Sequence, residues 1–307
     1  MSTKKRPILT VIIILGIAVL FLGTLMTLVL TFFGPSTNLS FGHKIGVIPI
    51  QGPIMESQTI VSQMVRFRKN KAIKAIILRV DSPGGGVGPS QEIYREVRRT
   101  IKTKRVIVSM GSLAASGGYY VAAGADKIVA SPGTITGSIG VIMQFVQLKE
   151  LLNKIGISME VLKSGEFKDI GSPHREMSEE EKELLQELII DIKDQFVEAV
   201  AEGRNLSVET VREIADGRVF SGAKAKELGL VDVLGNFQDA VDLAKKETGI
   251  EGEVDLIYPK KVGPSIWDLI LRDATRAIYE STVKALKTHI EYRWDGLPNP
   301  LESTTTP

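Results

Sequence analysis

The sequence predicts an α/β fold, and three observations carry that expectation. From Lys44 onward, short β-branched apolar runs alternate with longer amphipathic ones, the pattern of strands and helices layered on a sheet. Two glycine-rich stretches, "DSPGGGVG" (81–88) and "SLAASGGYY" (112–120), each follow an apolar run, and in open α/β arrangements ligands sit beyond the carboxyl ends of strands. The 307 residues are 43% hydrophobic and 24% charged, enough for one large core or two small ones.

The amino terminus stands apart from that pattern. Lys4, Lys5 and Arg6 precede an uncharged stretch from Pro7 to Gly42, whose apolar part runs from Ile8 to Phe33. As a helix at about 1.5 Å per residue this part spans roughly 39 Å, longer than the roughly 30 Å hydrocarbon core of a bilayer. A cleavable signal peptide is the competing reading, but it needs a small-x-small cleavage site, and "GPSTNLS" after Phe33 is a poor one. The expected order is a basic start (1–7), a transmembrane helix (8–33) and a linker (34–44). Positive charge ahead of the span keeps the start in the cytoplasm and places the rest, single-pass, on the extracytoplasmic side of the cell membrane.

In the remainder, "KIGVIPI" (44–50), "KAIILRV" (74–80), "RVIVSM" (105–110), "DKIVA" (126–130) and "ISMEVL" (157–162) read as strands. Helices are expected over 57–70, 89–102 and 147–156, the last ending at a glycine, as a C-cap does. Ser178 and Glu181 have capping-box spacing and open a long helix whose apolar stripe includes Leu184, Leu188, Ile192, Phe196 and Val200. That stripe reads as core or subunit contact. Short helices, a strand and turn at "LVDVLG", and the helix "NFQDAVDLAKKETG" complete one catalytic-sized domain, 45–258. Pro259 and Pro264 mark its end, and 259–307 reads as an amphipathic helix with a flexible tail.

Composition excludes several chemistries. The net charge of +2 comes without a basic stripe interleaved with aromatics, so nucleic acid is not an expected partner. With no cysteine there are no disulfides, thiolate metal sites or cysteine nucleophiles, and three histidines without an HExxH leave few ligands for a metal. No metal and no cofactor are expected. A Walker loop needs Gly-Lys-Ser/Thr, which "GGGVGPS" lacks, and no GxGxxG is satisfied. Taken alone, the first glycine loop could simply make tight turns.

Taken together, the two loops suggest acyl transfer. "SLAASGGYYVAAGA" (112–125) surrounds one hydroxyl, Ser116, with small residues, which let backbones or a substrate approach closely. A serine nucleophile also needs a base and two donors for the developing oxyanion. Backbone N–H groups of a glycine turn and of the residue after the serine can be those donors. For the base, His174 is the one histidine inside the core region, in the polar setting "GSPHREMS", where a solvated loop histidine is the plainer reading. A lysine serves if burial lowers its pKa; spacing alone does not choose one.

At these residues the chain resembles the signal peptide peptidase SppA family, within the ClpP and crotonase-like superfamily. "DSPGGGV", "ASGGYYVA", "SPGTITGSIGV", "LKSGEFKDIGSP" and "DGRVFSGAKAKELGLVD" stand in family order over roughly residues 45–250. The resemblance implies a fold of repeated ββα units and a membrane-anchored Ser/Lys serine endopeptidase that degrades residual signal peptides. It implies Ser116 as nucleophile, Lys168 as base, Ser138 as the hydroxyl holding the lysine amine, and Gly117 with Gly84, or the neighbouring Gly85, as oxyanion donors. The plain readings beside these are a turn hydroxyl for Ser138, a solvated charge for Lys163 and an ion pair for Asp169, which is left out of the site. ClpP-type proteases place a histidine about 25 residues after the serine, and no histidine lies between Ser116 and His174 here. Longer SppA proteins carry tandem repeats; resemblance to the short form implies a homo-oligomer, with Lys168 reaching a neighbour's Ser116 as one arrangement. Expected partners are hydrophobic peptides, the membrane and further copies of the chain. A crotonase-like acyl-CoA enzyme and a non-enzymatic membrane scaffold are the alternatives.

Overall fold

The computed structural model describes residues 7–33, 43–259 and 290–293, in two units, Met1–Phe41 and Gly42–Pro307. In the first unit α1 (Pro7–Phe33) is one helix of 27 residues. Its side chains are described from Ile14 to Leu28, and Leu20 and Phe21 are exposed. The Thr24 and Thr27 hydroxyls donate to the carbonyls of Leu20 and Gly23 one turn back, the way hydroxyls satisfy themselves on an apolar helix. Among the described residues no helix is long and apolar enough to cross a membrane.

The second unit alternates strands and helices in the expected way. It runs β1 (His43–Gln51), α2 (Gln58–Lys69), β2 (Ile73–Ser82), β3 (Gly84–Gly86), α3 (Val87–Thr100), β4 (Arg105–Ala115), α4 (Gly117–Ala123), β5 (Lys127–Ala130), β6 (Ile135–Gly137) and β7 (Ile142–Met143). Then come α5 (Lys149–Lys154), a 3-10 turn (Glu166–Asp169), α6 (Glu179–Arg204), α7 (Val208–Ile214), β8 (Val219–Ser221), α8 (Gly222–Glu227), β9 (Val233–Leu234), α9 (Phe237–Thr248), β10 (Val254–Ile257) and β11 (Ile290–Arg293).

The main sheet runs β10-β1-β2-β4-β5-β9, all parallel. β6 pairs with the far end of β4 in parallel, and β8 joins β6 antiparallel. A parallel sheet is covered on both faces, so its strands are apolar throughout rather than alternating; in β2, Ile76, Ile77, Leu78 and Val80 are all buried. On one face Ala240, Val241 and Ala244 of α9 pack against Ile45, Ile77 and Ile107. On the other, α2, α3, α4 and α6 build the larger core, with Met64, Phe67, Ile93, Tyr119 and Phe196 among its members.

The capping box at Ser178 and Glu181 is formed and starts α6. Two expectations need correction or qualification. "ISMEVL" (157–162) is not a strand: it has β propensity but pairs with no strand among the described residues, and Ile157, Met159 and Leu162 are exposed. The helix expected after Pro264 lies outside the described residues, apart from its last residue, Ile290, which begins β11.

Candidate active site

The path of β4 into α4 fixes the serine. Ser116 is the residue between them, with φ +53° and ψ −121°, a conformation that side-chain-bearing residues seldom adopt. Two backbone bonds hold it there: its N–H donates to Gly137 O (2.8 Å), and its carbonyl accepts from Tyr120 N–H (2.8 Å). α4 in turn is anchored by burial of all seven of its residues, by Tyr119 Oη donating to Leu230 O (3.0 Å), and by the Tyr120 ring against Tyr94 and Phe196. Strain kept in place by so many neighbours is characteristic of functional positions. Ser116 is 1% exposed, and its Oγ has no hydrogen-bond partner among the described residues. A buried hydroxyl without a partner calls for an explanation, and service as a nucleophile is one.

Ser138 is brought beside it by the sheet. The β4–β6 register pairs Ala115 with Gly137, so Ser116 and Ser138 are the next residues on adjacent parallel strands. Ser138 also has a positive φ, +52°, is buried, and donates its N–H to Arg218 O (2.8 Å).

The glycines explain the small-residue run. A Cβ built on Gly117 would stand 2.6 Å from Ser90 Oγ and 3.2 Å from both Gly84 Cα and Gly85 N, and one on Gly118 would stand 2.9 Å from Ser82 O. The two glycine loops therefore touch through their backbones, with no room for side chains. Gly84 and Gly85 have φ of +103° and +155°. Gly84 N–H already donates to Ser82 Oγ (3.1 Å). Gly84 O accepts from Ile54 N–H (2.8 Å) and Gly86 N–H donates to Ile54 O (2.9 Å). Since polar groups alternate along a strand, those of Gly85 point to the opposite edge.

That edge is occupied. β11 runs antiparallel along it, with Tyr292 opposite Gly85 and Arg293 opposite Gly84, and pairs on its other side with β7, Ile290 opposite Met143. The chain's own extended segment thus lies in the slot between the glycine strand and β7, advancing toward the Gly84 end as it runs C-terminally.

Lys168 is placed differently. It sits on the 3-10 turn 166–169 and is exposed; among the described residues no hydrogen bond joins it to Ser116 or Ser138. Its neighbour Asp169 is in the expected ion pair, with Arg175 and Lys163 (each 2.8 Å). Lys163, expected as a solvated charge, also donates to Glu166 O (2.6 Å). His174 Nδ1 lies 2.7 Å from Ser172 Oγ and belongs to the same loop. Sequence reasoning missed Arg175, whose role depends on partners six residues away on both sides, and Ser82, whose hydroxyl engages the Gly84 N–H. Among the described residues no acidic or histidine cluster could hold a metal. A shallow cleft of about 470 Å³ between α9 and β10, lined by Gln238, Val241, Lys245 and Leu256 among others, holds none of the residues above.

Comparison with known proteins points to peptidases. Residues 98–251 match the model of peptidase family S49, and residues 43–135 match that of Clp protease. A putative protease of Synechocystis is 46% identical over 222 residues, 71% of this chain and 80% of the relative. A putative signal peptide peptidase SppA of Enterococcus faecium is 44% identical over 191 residues, 62% of this chain and 56% of the relative. Protease 4 of Haemophilus influenzae is 32% identical over 277 residues, 85% of this chain and 43% of the relative.

Proposed function

The chain belongs to peptidase family S49 and is a serine peptidase, and from that premise we propose that it is a membrane-anchored endopeptidase that cuts residual signal peptides with a Ser116/Lys168 dyad. The observation that carries the site is the buried Ser116 Oγ without a partner, held on a strained turn against two glycine backbones. Neutral Lys168 Nζ takes the hydroxyl proton as Oγ forms a bond to the scissile carbonyl carbon. The carbonyl oxygen becomes an oxyanion and accepts from the N–H groups of Gly117 and Gly85; Gly84, bonded to Ser82, shapes the loop. Collapse breaks the C–N bond, and the leaving amine takes the proton from Lys168. Water then hydrolyses the acyl-enzyme with the same lysine as base. Ser138 orients the amine.

The slot that β11 fills supports an extended peptide as substrate, bound by strand addition. A signal peptide core, apolar with small side chains, suits a slot bordered by Gly84, Gly85 and Gly86. The apolar stretch Ile8–Phe33 behind a basic start supports a single-pass anchor with the peptidase outside the cytoplasm.

A lysine base has to be taken out of water, and Lys168 is exposed in the single chain. Association of copies through the apolar 146–167 segment would cover it. The test is turnover of a fluorogenic apolar peptide by the full chain in detergent, from about pH 6 to 10. Ser116→Ala and Lys168→Ala are each expected to lose activity with fold and assembly intact, and activity retained in either would overturn the dyad. Mixing the two inactive chains reads the arrangement: recovered turnover means the dyad forms between subunits.

A further inference from the structure

The turn that carries Lys168 has few attachments, and the strongest runs through the next residue. Asp169 accepts from Arg175 on both oxygens, Nε to Oδ2 and Nη2 to Oδ1 (each 2.8 Å). Lys163 Nζ donates to the same Oδ1 (2.8 Å) and to Glu166 O (2.6 Å), closing a ring over 163–169. On its other side Arg175 grips Glu181, Nη1 to Oε2 at 2.7 Å and Nη2 to Oε1. Glu181 is buried and is the third residue of the capping box that starts α6, its Oε2 also accepting from Ser178 N–H (2.9 Å). α6 packs on α4, the helix that begins directly after Ser116.

A chain of charge-assisted bonds therefore connects the residue beside the base to the helix layer beneath the nucleophile. Bidentate guanidinium–carboxylate pairs are the most directional ion pairs available to a protein, and this guanidinium makes one on each side. It also answers an electrostatic need. Asp169 follows Lys168 in sequence, and Arg175 with Lys163 compensates its charge; an uncompensated carboxylate within reach of the amine would favour the ammonium form, which cannot act as a base. The charged groups around the turn are Lys163, Glu166, Asp169 and Arg175 on its own segment and Glu181 from α6. Hydrogen bonds from Arg175, then from Lys163, hold the Asp169 carboxyl well below the usual carboxylate range. Those from Arg175, then from the Ser178 backbone, hold Glu181 down to about 2. The ordinary carboxylate values are higher, so both groups stay anionic and the clamp stays closed across neutral and alkaline pH.

We propose that Arg175 is a positioning residue for this peptidase, fixing the turn of the lysine base on α6 and offsetting the carboxylate beside it. The inference rests on Lys168 being the base, and the experiment separates the two claims. In the full chain, Arg175→Ala is expected to lower kcat about 10- to 100-fold, as a misplaced catalytic group does, with KM nearly unchanged. The ascending limb of kcat/KM against pH should move to higher pH. Arg175→Lys, which keeps one charge, should recover part of kcat. Adding Asp169→Asn to Arg175→Ala removes the uncompensated carboxylate and should return the limb toward its wild-type position without restoring kcat. A wild-type kcat and limb in Arg175→Ala overturns the inference while leaving the dyad standing, provided that Lys168→Ala is inactive. A lower kcat with an unmoved limb, in a chain that is folded and assembled normally, also overturns it. An active Lys168→Ala overturns the dyad itself.

Discussion

A methyl group on Gly117 would meet Ser90 Oγ at 2.6 Å and the Gly84–Gly85 backbone at 3.2 Å. Relieving such contacts separates the two glycine loops, at a cost of about 1 to 3 kcal/mol. The N–H groups proposed as oxyanion donors move with them. Gly117→Ala is therefore expected to remain folded, by circular dichroism and thermal melting, while its kcat falls by about 10²-fold or more. At this scale the fold brings Ser116, Ser138 and the glycines together, while Lys168, also singled out in the sequence, stands exposed with no hydrogen bond to either serine among the described residues. Ser116 and Gly117 stood out because a run of small residues is hard to justify by packing alone, and Ser138 was located only through family resemblance. That the Gly84 N–H is engaged was not legible, because it turns on where the Ser82 hydroxyl points. The Arg175 clamp was equally hidden, since its spacing matches no periodic element.

Among the elements, the parallel strands were legible because burial on both faces makes their centres continuously apolar, as Ala75–Leu78 of β2 illustrate. The start of α6 was legible from the chemistry of its cap. Propensity misled at 157–162, where a strand-like composition pairs with no strand among the described residues. It was silent on β11, whose four residues acquire strand geometry only from the open edges of β3 and β7. Since β11 covers the slot in which we place the substrate, a chain ending at His289 should bind peptides more readily. Its KM is expected to fall by roughly 2- to 10-fold, the correction for a site that its own chain occupies part of the time, with kcat little changed. An unchanged KM would mean that β11 does not compete.

For the whole molecule, the exposed apolar side chains of Val146, Ile155, Met159 and Leu162 fall within one stretch that ends shortly before Lys168, and Leu162 is 93% exposed. Concentrations of exposed apolar surface of this kind mark contact sites. Leu162→Asp is expected to reduce the mass of the assembly, measured by light scattering, and to lose turnover with it, leaving the melting of the single chain within about 0.5 kcal/mol of wild type as surface substitutions do. Full activity in dissociated chains would show that the base needs no neighbour. The serine's posture also has a meaning for the newly made protein. Ser116 is held by Gly137 O, and Gly117 beside it rests against Gly84 and Gly85, contacts supplied by two separate stretches of chain. Parallel ladders joined by long crossovers are slow to form. Until they close, the hydroxyl is an ordinary serine on an ordinary backbone, so an incomplete or misfolded copy carries no activated nucleophile. In refolding, peptide turnover should accordingly return with the last kinetic phase, after the helical signal has recovered.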